Sequence, residues 1–531
     1  MTVFNNKTST FLIIVIVLNI ANSIIFNGTL NQKEFPPGFQ FGVATSAYQI
    51  EGGWNTNGKG ENIWDYLTHN YPNKISDNSS GDIACDSYNK FKEDVRMAKS
   101  LGVNFYRFSL SWTRILSSGF PNSLNPDGIR YYNELIDEVI ANDITPIVTL
   151  FHYDLPQTFQ ELGGLSNRIL VDYFVDFARI VFRNFGDRVK MWITINDPLL
   201  MCRYCYGGMF GLLSPPFPNQ SAVADYLCAK TLIQSHVKIY HLYNEEFRNF
   251  QDGQIGYTIN SYWYEPKSNN HEDIEAAERM FEFYTGLYAQ PIFGDGDWPT
   301  IAKERVGTIS KSQNFSKSRL PDFTTQEITE NTKSADFLGL NYYFATLVQH
   351  RNPKVENIPI EYNYDAGISY RDEADEGYVV GPQGLRKILS KLKEKYGDIP
   401  IYITENGLGN TDKSLKDYDR ANYYLTYLSA CLDAIYDDKV NLVGYAAWSL
   451  MDNFEWMMGY TTYFGLYDVD FNDPNRPRTR KLSGDVYADV VKNNKLPAKC
   501  LDVPDRSSFT TYNITLIVVL LSLLYVILIS K

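Results

Sequence analysis

The chain has no surplus of positive charge: 62 acidic against 49 basic side chains leave a formal net charge of −13 over 531 residues. Phosphate recognition needs a clustered basic surface, so nucleic acid is excluded as a partner. No Pro/Gly/Ser-rich linker, no internal repeat and no block of like charges interrupts the sequence, which therefore reads as one large domain. No glycine-rich phosphate loop follows the first β-rich run, and this argues against a doubly wound dinucleotide-binding sheet. Cysteine is scarce, with six residues in all (Cys85, Cys202, Cys205, Cys228, Cys431, Cys500). Cys202 and Cys205 have CxxC spacing, but no second pair exists to complete a zinc site, so a local disulfide involving Cys202, Cys205 or Cys228 is the expectation. We find no metal or organic cofactor motif and expect no cofactor.

Long apolar runs occur only at the two ends. Residues 11–20, behind Lys7 and ahead of Ala21-Asn22-Ser23, carry the pattern of a signal peptide spanning residues 1–23. Residues 514–530 are apolar again and only Lys531 follows; with Ser507 and Ser508 upstream, residues 507–531 read as a lipid-anchor signal or a single membrane span. The expectation is a secreted or cell-surface, extracellular protein tethered to the membrane through its C-terminal tail. Asn-x-Ser/Thr sites at Asn27, Asn78, Asn219 and Asn314 fit a glycosylated surface.

Between the ends, eight short β-rich runs recur at residues 39–45, 103–109, 145–151, 189–196, 254–260, 337–343, 400–405 and 441–448. The intervening segments, such as 86–101, 129–142, 173–185, 224–247 and 419–436, place apolar residues at three- and four-residue spacing, as helices on a sheet do. Such alternation predicts parallel strands with helical crossovers, and eight units suit closure into a (β/α)8 TIM barrel, a single α/β domain over residues 24–506 with extended βα loops. Aromatic residues make up 15% of the chain, with 39 Tyr and 8 Trp, which suits a pocket that stacks on sugar rings.

Barrel chemistry sits at the carboxyl ends of the strands. The polar residues fall there: His152 after the third run, Asn196 and Asp197 at the end of the fourth, Asn341 and Tyr343 in the sixth, Glu405 in the seventh and Trp448 in the eighth. Asp197 and Glu405 form the pair that glycosidic cleavage requires, one to protonate the departing oxygen and one to attack the anomeric carbon or activate water. Taken alone, each acid serves as well as a helix N-cap in a βα loop.

Six motifs in order resolve that choice: Phe41-Gly-Val-Ala-Thr-Ser-Ala-Tyr-Gln-Ile-Glu-Gly, Tyr106-Arg-Phe-Ser-Leu-Ser-Trp, His152-Tyr-Asp-Leu-Pro-Gln, Leu338-Gly-Leu-Asn-Tyr-Tyr, Ile403-Thr-Glu-Asn-Gly and Trp448-Ser-Leu-Met-Asp-Asn-Phe-Glu-Trp. Over residues 35–490 the chain resembles glycoside hydrolase family 1, the β-glucosidases and myrosinases. The resemblance implies that Glu405 is the nucleophile, held and tuned by Tyr343 and Arg107, and that Asn196 bonds the sugar 2-hydroxyl. It implies Gln49, His152, Glu455 and Trp456 as readers of the remaining hydroxyls, Trp448 as the floor of the sugar site, and Asn341 and Phe464 as further substrate-binding positions. The partner is then a small-molecule glycoside.

At one position the resemblance fails. The family places Glu where this chain has Asp197, so the general acid is one methylene shorter, about 1.5 Å of reach. Proton transfer needs contact near hydrogen-bond distance, so the loss weighs most on poor leaving groups and least on aglycones that depart as stable anions. Three functions follow: a retaining β-glycosidase acting on activated β-glucosides through Asp197; a myrosinase-like thioglucosidase, whose aglycone leaves without an acid; or a catalytically silent cell-surface sugar- or protein-binding member. Retention of Glu405 and the sugar-binding positions speaks against the third. Arg203 would meet an anionic aglycone in the second, although such an arginine reads first as exposed and solvated.

Overall fold

The computed structural model describes residues 29–208, 220–351, 359–370, 378–379 and 381–503. The expected signal peptide, the C-terminal tail, Asn27 and Asn219 lie outside the described residues. Among those described, no helix is long and apolar enough to cross a membrane, and Asn78 and Asn314 are exposed.

Eight parallel strands close into a barrel: β1 (Gln40–Ala44), β2 (Phe105–Ser109), β3 (Thr145–Phe151), β4 (Met191–Asn196), β5 (Gln254–Asn260), β6 (Phe337–Asn341), β7 (Ile401–Asn406) and β8 (Leu442–Trp448). Each pairs with its sequence neighbours, and β8 closes on β1 from Gln40↔Gly444 to Ala44↔Trp448. Helices cross over between them, among them α1 (Ser87–Ser100), α2 (Pro126–Ala141), α3 (Leu170–Phe185), α4 (Ala224–Glu246) and α5 (Tyr418–Tyr436). The start of α2 shows how local sequence sets these boundaries. Asn125 accepts a hydrogen bond from Asp127 N at 3.2 Å and Pro126 occupies the first turn, where its missing N–H costs nothing.

Two cores result. The larger lies between barrel and helices. The smaller fills the barrel itself, where Phe105, Phe337 and Tyr402, all near the amino ends of their strands, meet with Ile147, Met191 and Ile193. Tyr402 meets Phe337 at 5.3 Å and Phe105 at 6.2 Å, both steeply inclined. These rings need facing positions without a side chain: a Cβ on Gly42 would stand 2.2 Å from the Phe105 ring, and one on Gly256 2.2 Å from Phe337. Gly42→Ala therefore overpacks the floor, at a cost of about 1–3 kcal/mol. The expected result is a lower urea midpoint at unchanged slope; an unchanged midpoint would show that the floor yields.

Most ladders are even, but two irregularities lie at the site end of the barrel. The β4–β5 register shifts between Ile193 and Asn196, and β7 shifts against both neighbours beyond Ile403. Such irregularities re-aim side chains, and these sit at the carboxyl ends of the strands carrying Asp197 and Glu405. Above β5 and β6 the chain adds a small sheet in which Trp263–Pro266 pairs in parallel with Ala345–His350. The expected local disulfide joins Cys202, in the π-helical turn Met201–Tyr206 that follows Asp197, to Cys228 of α4. Cys85, Cys205, Cys431 and Cys500 are free and buried.

Candidate active site

Arg107, fully buried on β2, ties the mouth of the barrel together. Its Nη1 donates to Glu405 Oε1 at 2.7 Å and to the Thr404 carbonyl at 3.1 Å, its Nη2 to Asn196 Oδ1 at 2.6 Å, and its Nε to Thr149 Oγ1 at 3.1 Å. One guanidinium thus fixes β3, β4 and β7 against β2. The second carboxylate oxygen of Glu405 accepts from the Tyr343 hydroxyl at 2.7 Å. Burial raises the pKa of Glu405, while Arg107 and Tyr343 draw it back toward the charged form.

Asn196 is oriented by what surrounds it. Its Oδ1 takes donors from Arg107 and, at 3.0 Å, from Asn341 Nδ2, so its amide nitrogen faces His152 Nε2 at 3.1 Å. The imidazole must accept there, which puts its proton on Nδ1. Burial, and then the charge of Arg107, hold the His152 pKa well below its ordinary value and keep the ring neutral. Thr404 Oγ1 donates to Asn341 Oδ1 at 2.8 Å, which completes the chain of bonds from β7 to β3.

The second acid occupies a different environment. Asp197 is buried, left-handed at φ +46°, and accepts from Leu200 N at 3.3 Å in the manner of an N-cap. The neutral side chains of Tyr153 and Asn260 lie near enough to favour its charged form. Burial first, and the charge of Glu405 second, push its pKa up to about 8. Glu455 is likewise pushed up to about 8 by burial and by Glu405.

The remaining predicted positions line the same mouth. Gln49 accepts from Ser46 Oγ at 2.6 Å and donates to Asn453 Oδ1 and the Phe454 carbonyl at 2.9 Å, leaving its amide 3.3 Å from Glu455 Oε2. His152 is near-parallel to two indoles, Trp448 at 5.8 Å and Trp456 at 6.0 Å. Phe464 meets Tyr343 edge-on at 6.0 Å. The result is a neutral imidazole, amides, carboxyls and aromatic faces around two acids, a set suited to a polyhydroxylated ring.

A sequence model described as glycosyl hydrolase family 1 matches residues 31–496. The chain belongs to that family. Among relatives within the family, the lactase/phlorizin hydrolase of Homo sapiens is 44% identical over 482 residues, 89% of this chain but 24% of the relative, so this chain spans about a quarter of that protein. Myrosinase 1 of Brevicoryne brassicae is 46% identical over 469 residues, 87% of this chain and 99% of the relative. The solved structure of an aphid myrosinase superposes with a TM-score of 0.82 at 45% identity, covering 87% of this chain and all of that one. The closed eight-stranded parallel barrel is the architecture of these glycoside hydrolases.

One reading of the sequence is corrected. Arg203 is not exposed: it is buried, with Nη1 2.9 Å from Asp225 Oδ2 and its guanidinium 3.8 Å from the Tyr362 ring centre. The π-helical turn, pinned to α4 by the disulfide, turns it inward to a carboxylate and an aromatic face that together offset the cost of burying a charge. Two residues of the site escaped the sequence. Asn260 ends β5, where the strand-end rule would have found it; Tyr153 stood inside a motif and was read only through its neighbour His152.

Proposed function

We propose that the enzyme is a retaining β-glycosidase acting on β-glucosides with good leaving groups, with Glu405 as nucleophile and Asp197 as acid/base. One observation carries the reading. Two carboxyls within electrostatic reach of each other have opposite surroundings, a cation and a phenol on Glu405, burial and neutral donors on Asp197. Groups divided in this way take the separate roles of base and acid. Glu405 attacks the anomeric carbon as the proton of Asp197 passes to the departing oxygen; the Asp197 carboxylate then takes a proton from the water that releases the sugar. Arg107 and Tyr343 hold the nucleophile, Asn196 and Asn341 meet the 2-hydroxyl side of the ring, Gln49, His152, Glu455 and Trp456 read the other hydroxyls, and Trp448 and Phe464 supply apolar faces.

The pH dependence follows from the same groups. Activity needs Glu405 ionised and Asp197 protonated, so it falls at low pH as Glu405 gains its proton and at high pH as Asp197 loses its own, near 8.

The test is the turnover of an activated aryl β-glucoside, an alkyl β-glucoside and a glucosinolate by the enzyme and by Asp197→Glu. The expected result is good aryl and poor alkyl turnover, with the alkyl substrate raised about tenfold or more by the restored methylene. A preference for the glucosinolate would instead mark a thioglucosidase. The ion pair of Arg203 with Asp225 counts against the contact with an anionic aglycone first considered for that function. Absence of all turnover and of covalent labelling at Glu405 would mark a silent binding protein. We also propose an extracellular, membrane-tethered location, supported by the two apolar ends and by the Cys202–Cys228 disulfide, a bond favoured in oxidising compartments.

A further inference from the structure

Beyond Ile403 the register of β7 slips against both β6 and β8, so the strand loses regular ladder partners where it carries Glu405. Side chains take over there. Asn406, fully buried, donates through Nδ2 to the Tyr342 carbonyl at 2.6 Å and to the Tyr423 hydroxyl at 2.9 Å, and its Oδ1 accepts from the Tyr445 hydroxyl at 2.5 Å. The Tyr423 hydroxyl in turn donates to the Tyr343 carbonyl at 3.1 Å. Tyr342 and Tyr343 lie just past the end of β6, and the Tyr342 N–H bonds the Glu405 carbonyl at 3.0 Å. The segments that carry the nucleophile and its phenol are thus joined by a backbone bond, by one amide and through one phenol of α5. That phenol has little freedom: Tyr423 is completely buried, with its ring against that of Tyr427, centroids 3.9 Å apart and 21° from parallel.

We propose that Tyr423, on the outer helix α5, is a positioning residue for the nucleophile: it fixes the backbone of Tyr343 against Asn406 and so aims the Tyr343 hydroxyl at Glu405. This rests on the reading of Glu405 as nucleophile. A side chain holds the geometry that chemistry demands only where its own supports are fixed. Burial first, then the neighbouring phenols Tyr427 and Tyr445, raise the Tyr423 pKa well above its ordinary value, so it keeps the proton it donates. The charged and titratable groups facing Glu405 are Arg107 from β2, Tyr153 after β3, Asp197 after β4, Tyr343 after β6 and Glu455 after β8. Of these, Arg107 and Tyr343 favour its ionised form. Arg107 is held by bonds to Thr149 and Asn196 that do not pass through α5, so a change at Tyr423 reaches Glu405 through Tyr343.

Tyr423→Phe keeps the ring and its stacking and removes one hydroxyl. kcat/KM is expected to fall about fivefold for aryl and alkyl β-glucosides alike, since both need the nucleophile. The low-pH limb moves to higher pH, because a carboxylate whose donor is misaligned is harder to ionise, and the high-pH limb stays in place. Tyr424→Phe is the comparison. Tyr424 is the adjacent buried phenol of α5 and donates to the Trp448 carbonyl at 3.0 Å, so its loss removes a similar bond away from Glu405 and should leave the low-pH limb unmoved. Equal behaviour of the two limbs marks Tyr423 as packing support and overturns the proposal. Tyr343→Phe tests the link itself: its limb should move, and adding Tyr423→Phe should move it no further, because the phenol through which Tyr423 acts is already gone. An unmoved limb in Tyr343→Phe, or a further shift in the double variant, also overturns the positioning role. Should Tyr423→Phe fail to fold, Tyr445→Phe, which removes the bond orienting the Asn406 amide, must move the limb in the same direction or the proposal falls. Covalent labelling of the wild type at a residue other than Glu405 sinks the nucleophile reading instead, whatever these limbs do.

Discussion

Glu405→Gln is expected to reduce turnover of every substrate by a factor of at least about 10⁴, because it removes the atom that bonds to the anomeric carbon and no neighbour replaces it. The amide keeps the size of the carboxylate and can still accept from Arg107, so the fold should survive. Incubation with a slow-turnover fluoroglycoside followed by mass spectrometry checks this directly. The wild type gains one sugar at the peptide containing Glu405, and the variant gains none. Labelling elsewhere, or turnover preserved in the variant, would remove Glu405 from the role and with it the double-displacement route.

The second large effect belongs to Arg107, where stability and chemistry meet. Arg107→Met leaves Glu405 buried without its cation and strips donors from Asn196 Oδ1, the Thr404 carbonyl and Thr149 Oγ1. Breaking a buried pair by removing one partner costs about 3–5 kcal/mol, so a clear fall in the denaturant midpoint is expected. The sign of the kinetic change is equally defined. Without Arg107 the burial of Glu405 is no longer opposed, its pKa rises further, and the low-pH limb moves to higher pH. Arg107→Lys keeps a charge but loses the planar fork, and it should recover part of the limb and little of the stability. A variant without Arg107 that keeps both would show that the ion pair is incidental.

Much of the barrel was legible because its determinants are local. β3 and β5 begin and end where the β-rich runs predicted, at Thr145–Phe151 and Gln254–Asn260. The small sheet beside the mouth left no such trace, since Trp263–Pro266 and Ala345–His350 pair in parallel across some eighty residues of intervening chain, and long-range register has no local signature. The site divides along the same line. Glu405, Asn196 and His152 stand at strand ends and Arg107 inside a motif, and the fold brings them into one hydrogen-bonded group. Arg203 was misread because charge in a sequence signals solvent, while its partner Asp225 lies in another element. Tyr153 was passed over because its left-handed conformation, φ +72°, is a property that residue identity alone does not disclose.

The aromatic floor has a consequence for traffic. With Phe105, Phe337 and Tyr402 stoppering the amino ends of the strands, the barrel is, among the described residues, a cup that opens at the carboxyl ends. A sugar freed at its base leaves by the route the next glycoside enters, so monosaccharide product and fresh substrate contend for the same space, and accumulation of the one slows admission of the other.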